Sequence, residues 1–204
     1  GAAARGLGTA RLALYATLVL KPVEPPETVA LRSFAAALAL RDACVALTGL
    51  HDSFALKWPN DVLLNGGKLA GILLESVGLG TASPVLCIGI GVNLNASPDP
   101  ATVEPGAVPP VSLLQDTGHR ITPEAFLDAL APAYAAWEAR FQTHGFAPLR
   151  EAWLAHAARL GEPIRARTGS QTRDGIFQTI DAQGNLILGT PAGPLAIPAA
   201  EVFF

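Results

Sequence analysis

The sequence predicts an α/β fold: a β-sheet with flanking helices, followed by a small β-barrel. Three observations predict it. An Ala/Leu-rich stretch over 29–47 is long and apolar enough for a buried helix. Residues 53–95 break into short apolar runs separated by turn residues. After Gly161 the chain switches to short alternating segments spaced by glycine turns, the pattern of a barrel of 44 residues, 161–204.

The elements follow in order. Residues 1–12 are Gly/Ala/Arg-rich without a period and read as a loop. Residues 14–20 alternate and carry Tyr15, Thr17 and Val19, which suit a strand. Pro22, Pro25 and Pro26 end it, Thr28 is placed to cap the 29–47 helix, and Gly49 to stop it. Strands are predicted at 54–58, 61–64, 68–76 and 85–94. Asn65-Gly66 forms the hairpin between the second and third, because both residues tolerate positive φ. Gly89 and Gly91 punctuate the fourth, as glycines do where a ligand or backbone comes close. Residues 96–111 read as a loop, and 123–144 and 146–160 as helices. Tyr134, Trp137 and Phe141 fall at helical spacing and read as core. Barrel strands are predicted at 163–167, 175–180, 186–188 and 195–202. The chain divides into 1–160 and 161–204.

Composition narrows the function. Half of the residues are hydrophobic and 15% are charged, so a sizeable core is available. The net charge of −3 gives no basic footprint for nucleic acid. No run approaches the ~20 apolar residues that span a bilayer, and no leader is visible, so a cytoplasmic protein is expected. Cys44 and Cys87 lack metal-site or redox spacing and read as buried core thiols in a reducing compartment. The chain contains no methionine, which places processing, truncation or omitted residues ahead of Gly1 among the expectations.

Chemistry concentrates in Lys57-Trp58-Pro59-Asn60-Asp61 and Lys68-Leu69-Ala70-Gly71-Ile72-Leu73-Leu74-Glu75. The chain has 14 basic residues but three lysines, and two of them, Lys57 and Lys68, sit in this hairpin. A compact ammonium with rotatable donors suits a phosphate or carboxylate oxygen that moves during reaction. Alternatively the two are solvated hairpin charges. Pro59 forces a turn that leaves Asn60 and Asp61 at a strand edge, either as a polar cluster facing a ligand or as an Asx turn closing the corner. Gly71 opposite that cluster lets a ligand approach the backbone. Asn93 offers the donor and acceptor that match an adenine edge; alternatively it caps a loop.

These two segments, followed by Gly89-Ile90-Gly91-Val92-Asn93-Leu94-Asn95, resemble the catalytic domain of biotin protein ligases (biotin–acetyl-CoA-carboxylase ligases) in order and spacing. The likeness runs from about Leu14 to the C-terminus. It implies a mixed β-sheet with flanking helices, of the class II aminoacyl-tRNA synthetase and biotin ligase kind, and makes the last segment an SH3-like barrel. It implies that biotin and Mg-ATP react to biotinyl-AMP and pyrophosphate, and that a lysine of a biotin carboxyl carrier protein then takes the biotinyl group. Lys68 corresponds to the catalytic lysine that contacts the biotin carboxylate and the adenylate phosphate. Lys57, Asn60 and Asp61 correspond to the nucleotide and metal region, Trp58 to the biotin- and adenylate-binding set, Gly71 to the biotin side and Asn93 to the adenine contact. The metal would have no all-protein ligand set. The family often pairs through its central sheet edge, which implies a homodimer.

Upstream of Leu14 the resemblance stops. The family's Ser-Thr-Asn segment is absent, and its Gly-Arg-Gly-Arg-type loop over biotin has only Arg5-Gly6 as a remnant. A chain lacking that loop is expected to leak its adenylate to water, so these 204 residues alone are expected to be poorly active. Two other readings compete: a lipoate or octanoate ligase-like enzyme, which would share the lysine but not the Lys57–Asp61 motif, and an inactive biotin-binding homologue.

Overall fold

In the computed structural model, which describes residues 13–78, 84–104, 106–169, 171–198 and 200–204, the chain builds two five-stranded sheets with helices packed between and beside them. The first contains β1 Leu14–Leu20, β2 Phe54–Lys57, β3 Asp61–Leu64, β4 Gly67–Val77 and β5 Val85–Val92. Its order is β1-β5-β4-β3-β2, and every ladder is antiparallel. Asn65 and Gly66 turn the β3–β4 hairpin with φ of 49° and 86°, the pair of positive values that a two-residue hairpin loop demands.

The long helix is two pieces, α1 Pro26–Ala30 and α2 Arg32–Thr48. The expected cap at Thr28 is corrected: Thr28 lies inside α1, and the Pro25 carbonyl accepts from the amides of Thr28 and Val29. Pro26 suits the first helical position, where the missing N–H is no loss. Gly49 stops α2 as expected, with φ 73° and its amide on the Val45 carbonyl at 2.8 Å. Every residue from 34 to 40 is buried, because α2 lies between the first sheet and the helices α4 Pro123–His144 and α5 Ala147–Leu154. That position explains the lack of an amphipathic period.

Two helical expectations change. A short helix, α3 Leu113–Thr117, was not predicted; the Ser112 hydroxyl caps it by accepting from the Gln115 amide. The predicted helix 146–160 ends at Leu154, because residues 156–158 are drawn to the sheet. The Leu56 amide donates to the His156 carbonyl and the Ala158 amide to the Leu56 carbonyl, both at 2.8 Å. This segment covers the β2 edge, which would otherwise present unpaired backbone groups.

Alternation on β5 sets Leu86, Ile88, Ile90 and Val92 against the helices and turns Cys87, Gly89 and Gly91 to the opposite face. Cys44 is a core thiol as expected, and burial pushes its pKa up. Cys87 is not: it is half-buried on that second face.

The second sheet comprises β6 Pro163–Thr168, β7 Gln171–Ile180, β8 Leu186–Thr190, β9 Gly193–Ile197 and β10 Glu201–Phe203, in the antiparallel order β10-β6-β7-β8-β9. The single strand predicted over 195–202 is therefore two strands on opposite edges. Pro198 has no N–H for the ladder and marks the break. The sheets share one hydrophobic cluster. Phe34, Trp153 and Phe177 stack edge-on across it at 5.5 and 6.5 Å, and the Trp58 indole donates to the Gly184 carbonyl at 3.1 Å. The trio Tyr134, Trp137 and Phe141 is core-side, with Tyr134 and Phe141 buried and Trp137 packed against the cluster.

Candidate active site

The face of the first sheet turned away from the helices carries a transverse row. Strand register places Tyr15 beside Gly91, Gly91 beside Gly71, Gly71 beside Asp61, and Asp61 beside Lys57. Directly opposed residues in antiparallel strands share a face. The row thus runs from an aromatic ring, over two glycines, to a carboxylate and an ammonium. Beside it lie Thr17, Gly89 and Leu73, also in register. The glycines keep the middle of the face low.

Lys68 joins this face through a bulge. It lies three positions before Gly71, an odd offset that in a regular strand puts the two on opposite sides. The ladder between β3 and β4 shifts register at Val62/Leu63, so Ala70 pairs with Val62 and Lys68 with Leu63, leaving Leu69 as the extra residue. The bulge re-aims Lys68 toward Asp61. Its Nζ lies 2.7 Å from Asp61 Oδ1, while Lys57 Nζ lies 3.5 Å from Asp61 Oδ2. The Lys68 side chain is 44% exposed, against 10% for Lys57 and 9% for Asp61. One buried carboxylate therefore holds a buried and an accessible ammonium. Burial pushes the Lys57 pKa below its ordinary value, opposed by the Asp61 charge and reinforced by Lys68. A Cβ added at Gly71 would sit 3.7 Å from Lys68 Nζ, so the glycine keeps the approach to the ammonium clear.

Two clefts meet at these groups. One, of about 540 Å³, is floored by Gly71, Gly89 and Gly91 and walled by Tyr15, Thr17 and Leu73. The other, of about 370 Å³, is lined by Lys57, Pro59, Ala107, Val108, Ala200 and Phe203. Asn60, Asp61 and Lys68 line both. The first suits a flat, largely apolar ligand, the second a charged one, and the exposed ammonium stands between them.

The residues expected from sequence distribute unequally. Lys57, Asn60, Asp61, Lys68 and Gly71 converge. Asn60 also closes the corner: its Nδ2 donates to the Ile72 carbonyl at 2.7 Å, and the Ile72 amide donates to the Asn60 carbonyl at 2.9 Å. Trp58 does not face the clefts. It is 3% exposed and spends its indole N–H on Gly184, which makes it a tie between the two sheets. Asn93 Nδ2 donates to the main-chain carbonyls of Val111, at 3.0 Å, and Lys68, at 3.4 Å. Its donor edge is thus engaged by the chain, as in the loop-holding alternative, and it steadies the Lys68 backbone. Arg5 lies outside the described residues.

Tyr15, Thr17 and Leu73 were missed as site residues, as were Ala107, Val108 and the β10 residues. For the first three a signal existed, since Tyr15 and Thr17 alternate on one strand and Leu73 stands two residues from Gly71. Nothing local marks the others, which reach the cleft through long-range packing.

Residues 6–155 match the Biotin/lipoate A/B protein ligase family, and residues 160–204 match the Biotin protein ligase C terminal domain. A biotin--[acetyl-CoA-carboxylase] ligase of Paracoccus denitrificans is 60% identical over 188 residues, covering 92% of this chain and 78% of that protein. The bifunctional ligase/repressor BirA of Bacillus spizizenii is 31% identical; the alignment covers 93% of this chain but 57% of the relative. Among solved structures, the biotin protein ligase of Aquifex aeolicus in complex with biotin and ATP superposes with a TM-score of 0.79 at 22% identity, over 94% of this chain and 77% of that one. A biotin protein ligase-like protein of unknown function from Silicibacter superposes with a TM-score of 0.76 at 21% identity, over 91% of this chain and 78% of that one. With the fold, the lysine-bearing hairpin and the second sheet all in agreement, this chain belongs to the biotin/lipoate A/B protein ligase family and carries that family's biotin protein ligase C-terminal domain.

Proposed function

We propose that the chain is the catalytic part of an ATP-dependent biotin–protein ligase. The observation that carries this reading is the accessible Lys68 ammonium at the junction of two clefts, as a reaction joining two substrates requires. The 60% identity to the Paracoccus ligase supports biotin over lipoate.

In this reading biotin lies over Gly71, Gly89 and Gly91 with its carboxylate toward Lys68, and the nucleotide occupies the Lys57 side. A biotin carboxylate oxygen attacks the α-phosphorus of ATP, the bond to the β-phosphate oxygen breaks, and pyrophosphate leaves. An acceptor lysine, as its free amine, then attacks the acyl carbon, AMP leaves, and an amide forms. Lys68 neutralises charge that grows on the phosphate oxygens first and on the acyl oxygen second. Asp61 aims it beforehand. Asn60 and Asn93 position the strand that bears it. Lys57, held by Asp61, adds positive potential from behind.

Mg²⁺ comes with the triphosphate in this scheme. Among the described residues no three carboxylate, histidine or cysteine side chains converge; Asp61 is the carboxylate at the cleft that would help hold the ion, which would neutralise phosphate charge. The acceptor is the biotin carboxyl carrier protein of acetyl-CoA carboxylase. No described helix is long and apolar enough to cross a membrane, and we place the reaction in the cytoplasm, where ATP is supplied. We divide the chain at 160/161, and assign a homodimer contact to the edge of β4 beyond Ile72, where the β3 ladder has ended.

The test supplies the full-length protein with biotin, Mg-ATP and an unmodified carrier domain. The proposal predicts one biotinyl amide on one carrier lysine, and none when lipoate or octanoate replaces biotin. Absence of biotin on the carrier, or equal transfer of lipoate, would overturn it.

A further inference from the structure

The loop between Glu104 and Val111 is fastened at both ends. At its far end the Lys68 amide donates to the Pro109 carbonyl at 2.8 Å, and the Val111 amide donates to the Lys68 carbonyl at 3.0 Å. At its near end Arg167, on β6, grips the Glu104 carboxylate with both terminal nitrogens, at 2.7 and 2.8 Å. The same guanidinium donates to Glu201 on β10 and lies 4.9 Å over the Phe203 ring. Between the two ends, Ala107 and Val108 form one wall of the 370 Å³ cleft. Ala200, Glu201, Val202 and Phe203 form the facing wall, with Lys57, Asp61 and Lys68 at the base.

Arg167 is therefore bonded to Glu201 of one wall and to Glu104, which lies three positions before Ala107 of the other. Packing does little for the loop at that end, since Glu104 and Gly106 are exposed and Pro110 is the first buried residue among those described after Val103. A fork of two parallel N–H···O bonds fixes orientation as well as distance.

We infer that Arg167 is a positioning residue: it pins the loop of Glu104 to the β10 wall and so holds the nucleotide side of the cleft closed over Lys68. The inference rests on the ligase reading. It assigns the second sheet a part in the adenylation half-reaction that neither end of the loop would supply alone. Arg167 touches neither substrate. Its effect passes through the wall spacing, and it reaches ATP rather than biotin, whose glycine-floored cleft contains no residue of this loop or of β10.

The experiment measures biotinyl-AMP formation by the full-length protein while ATP and biotin are titrated separately, for wild type, Arg167→Gln, Glu104→Gln and the double variant. An exposed ion pair of this kind predicts a rise in KM for ATP of about three- to fivefold in each single variant, with KM for biotin unchanged. The double variant should be no worse than Arg167→Gln, because that substitution already removes the contact with Glu104. Arg167→Lys should recover part of the loss, since it restores charge without the fork. Unchanged KM for ATP in Arg167→Gln, equal rises for both substrates, or additive effects in the double variant would overturn the assignment while wild type still makes the adenylate. A wild type that makes no adenylate overturns the ligase reading itself. Because Glu104 is on an exposed loop, Glu104→Gln keeps the test available if Arg167→Gln does not fold.

Discussion

Asp61 is the residue on which the site depends, because it is buried and its two oxygens face two ammonium groups. Removing it leaves Lys57 charged and buried without its ion-pair partner, with only the charge of Glu201 across the cleft, so Asp61→Ala should cost about 3–5 kcal/mol of stability as well as activity. Denaturant unfolding measures this, and a loss under 1 kcal/mol would show that the pair is not carrying the buried charge. His156 provides a pH marker at the β2 edge. Burial, followed by the nearby Arg41, holds its pKa below the usual 6.5. Below that value the unfolded chain takes up a proton that the folded chain resists, so the folded state loses stability as pH falls, and the loss is absent above pH 7. His156→Gln should melt relatively later than wild type as pH drops from 7 to 5, with a constant difference above 7; a difference independent of pH would contradict this. The rarity of lysine and the Pro-Asn-Asp turn made Lys57, Asp61 and Lys68 legible from sequence. Tyr15 carried only the alternation of its strand; its place beside Gly91 depends on a pairing between strands about 70 residues apart in the chain. Trp58 is buried with its indole N–H on Gly184, and a large aromatic next to a ligand motif looks the same in sequence whether it faces the ligand or the core.

The decisive element is the β3–β4 hairpin with its bulge. Asn65-Gly66 announced the turn, but Leu69 looks like any apolar strand residue, and nothing in its identity shows that it is the extra one. Without it Lys68 would face the helices. The hairpin also receives the loop at Gly67, where an added Cβ would lie 2.3 Å from Val111 Cγ1 and 3.2 Å from the Pro109 carbonyl oxygen. Val111 is β-branched and stiff, so Gly67→Ala should displace the loop at a cost of about 1–3 kcal/mol. Adding Val111→Ala should return most of that loss. Thermal unfolding of the two variants decides it, and a neutral Gly67→Ala would mean that the loop does not pack there. Gly67 could have been read only as a hairpin residue, since its partner is 44 positions away.

At the scale of the molecule, the two sheets form one body. Phe34, Trp153 and Phe177 continue the core from α2 through α5 into β7, and the core is a single cluster. The change of period at Gly161 showed that a second sheet begins, but it carried no information on how that sheet docks. Trp153 is 1% exposed at the seam, and Trp153→Ala should cost about 3–5 kcal/mol and lower both sheets' melting together. Separate transitions for the two sheets in calorimetry would contradict a shared core. Docking matters to function because it places β10 across from Lys68, which closes the second cleft. The central claim is that Lys68, at the meeting of the clefts, drives adenylation of biotin. Biotin-dependent exchange of labelled pyrophosphate into ATP by the full-length protein measures that step without any acceptor. The expected result is exchange that requires biotin, and a fall of about 100-fold or more in Lys68→Ala with little change in melting temperature, because the side chain is partly exposed. Exchange that persists undiminished in Lys68→Ala, or that never depends on biotin, would contradict it.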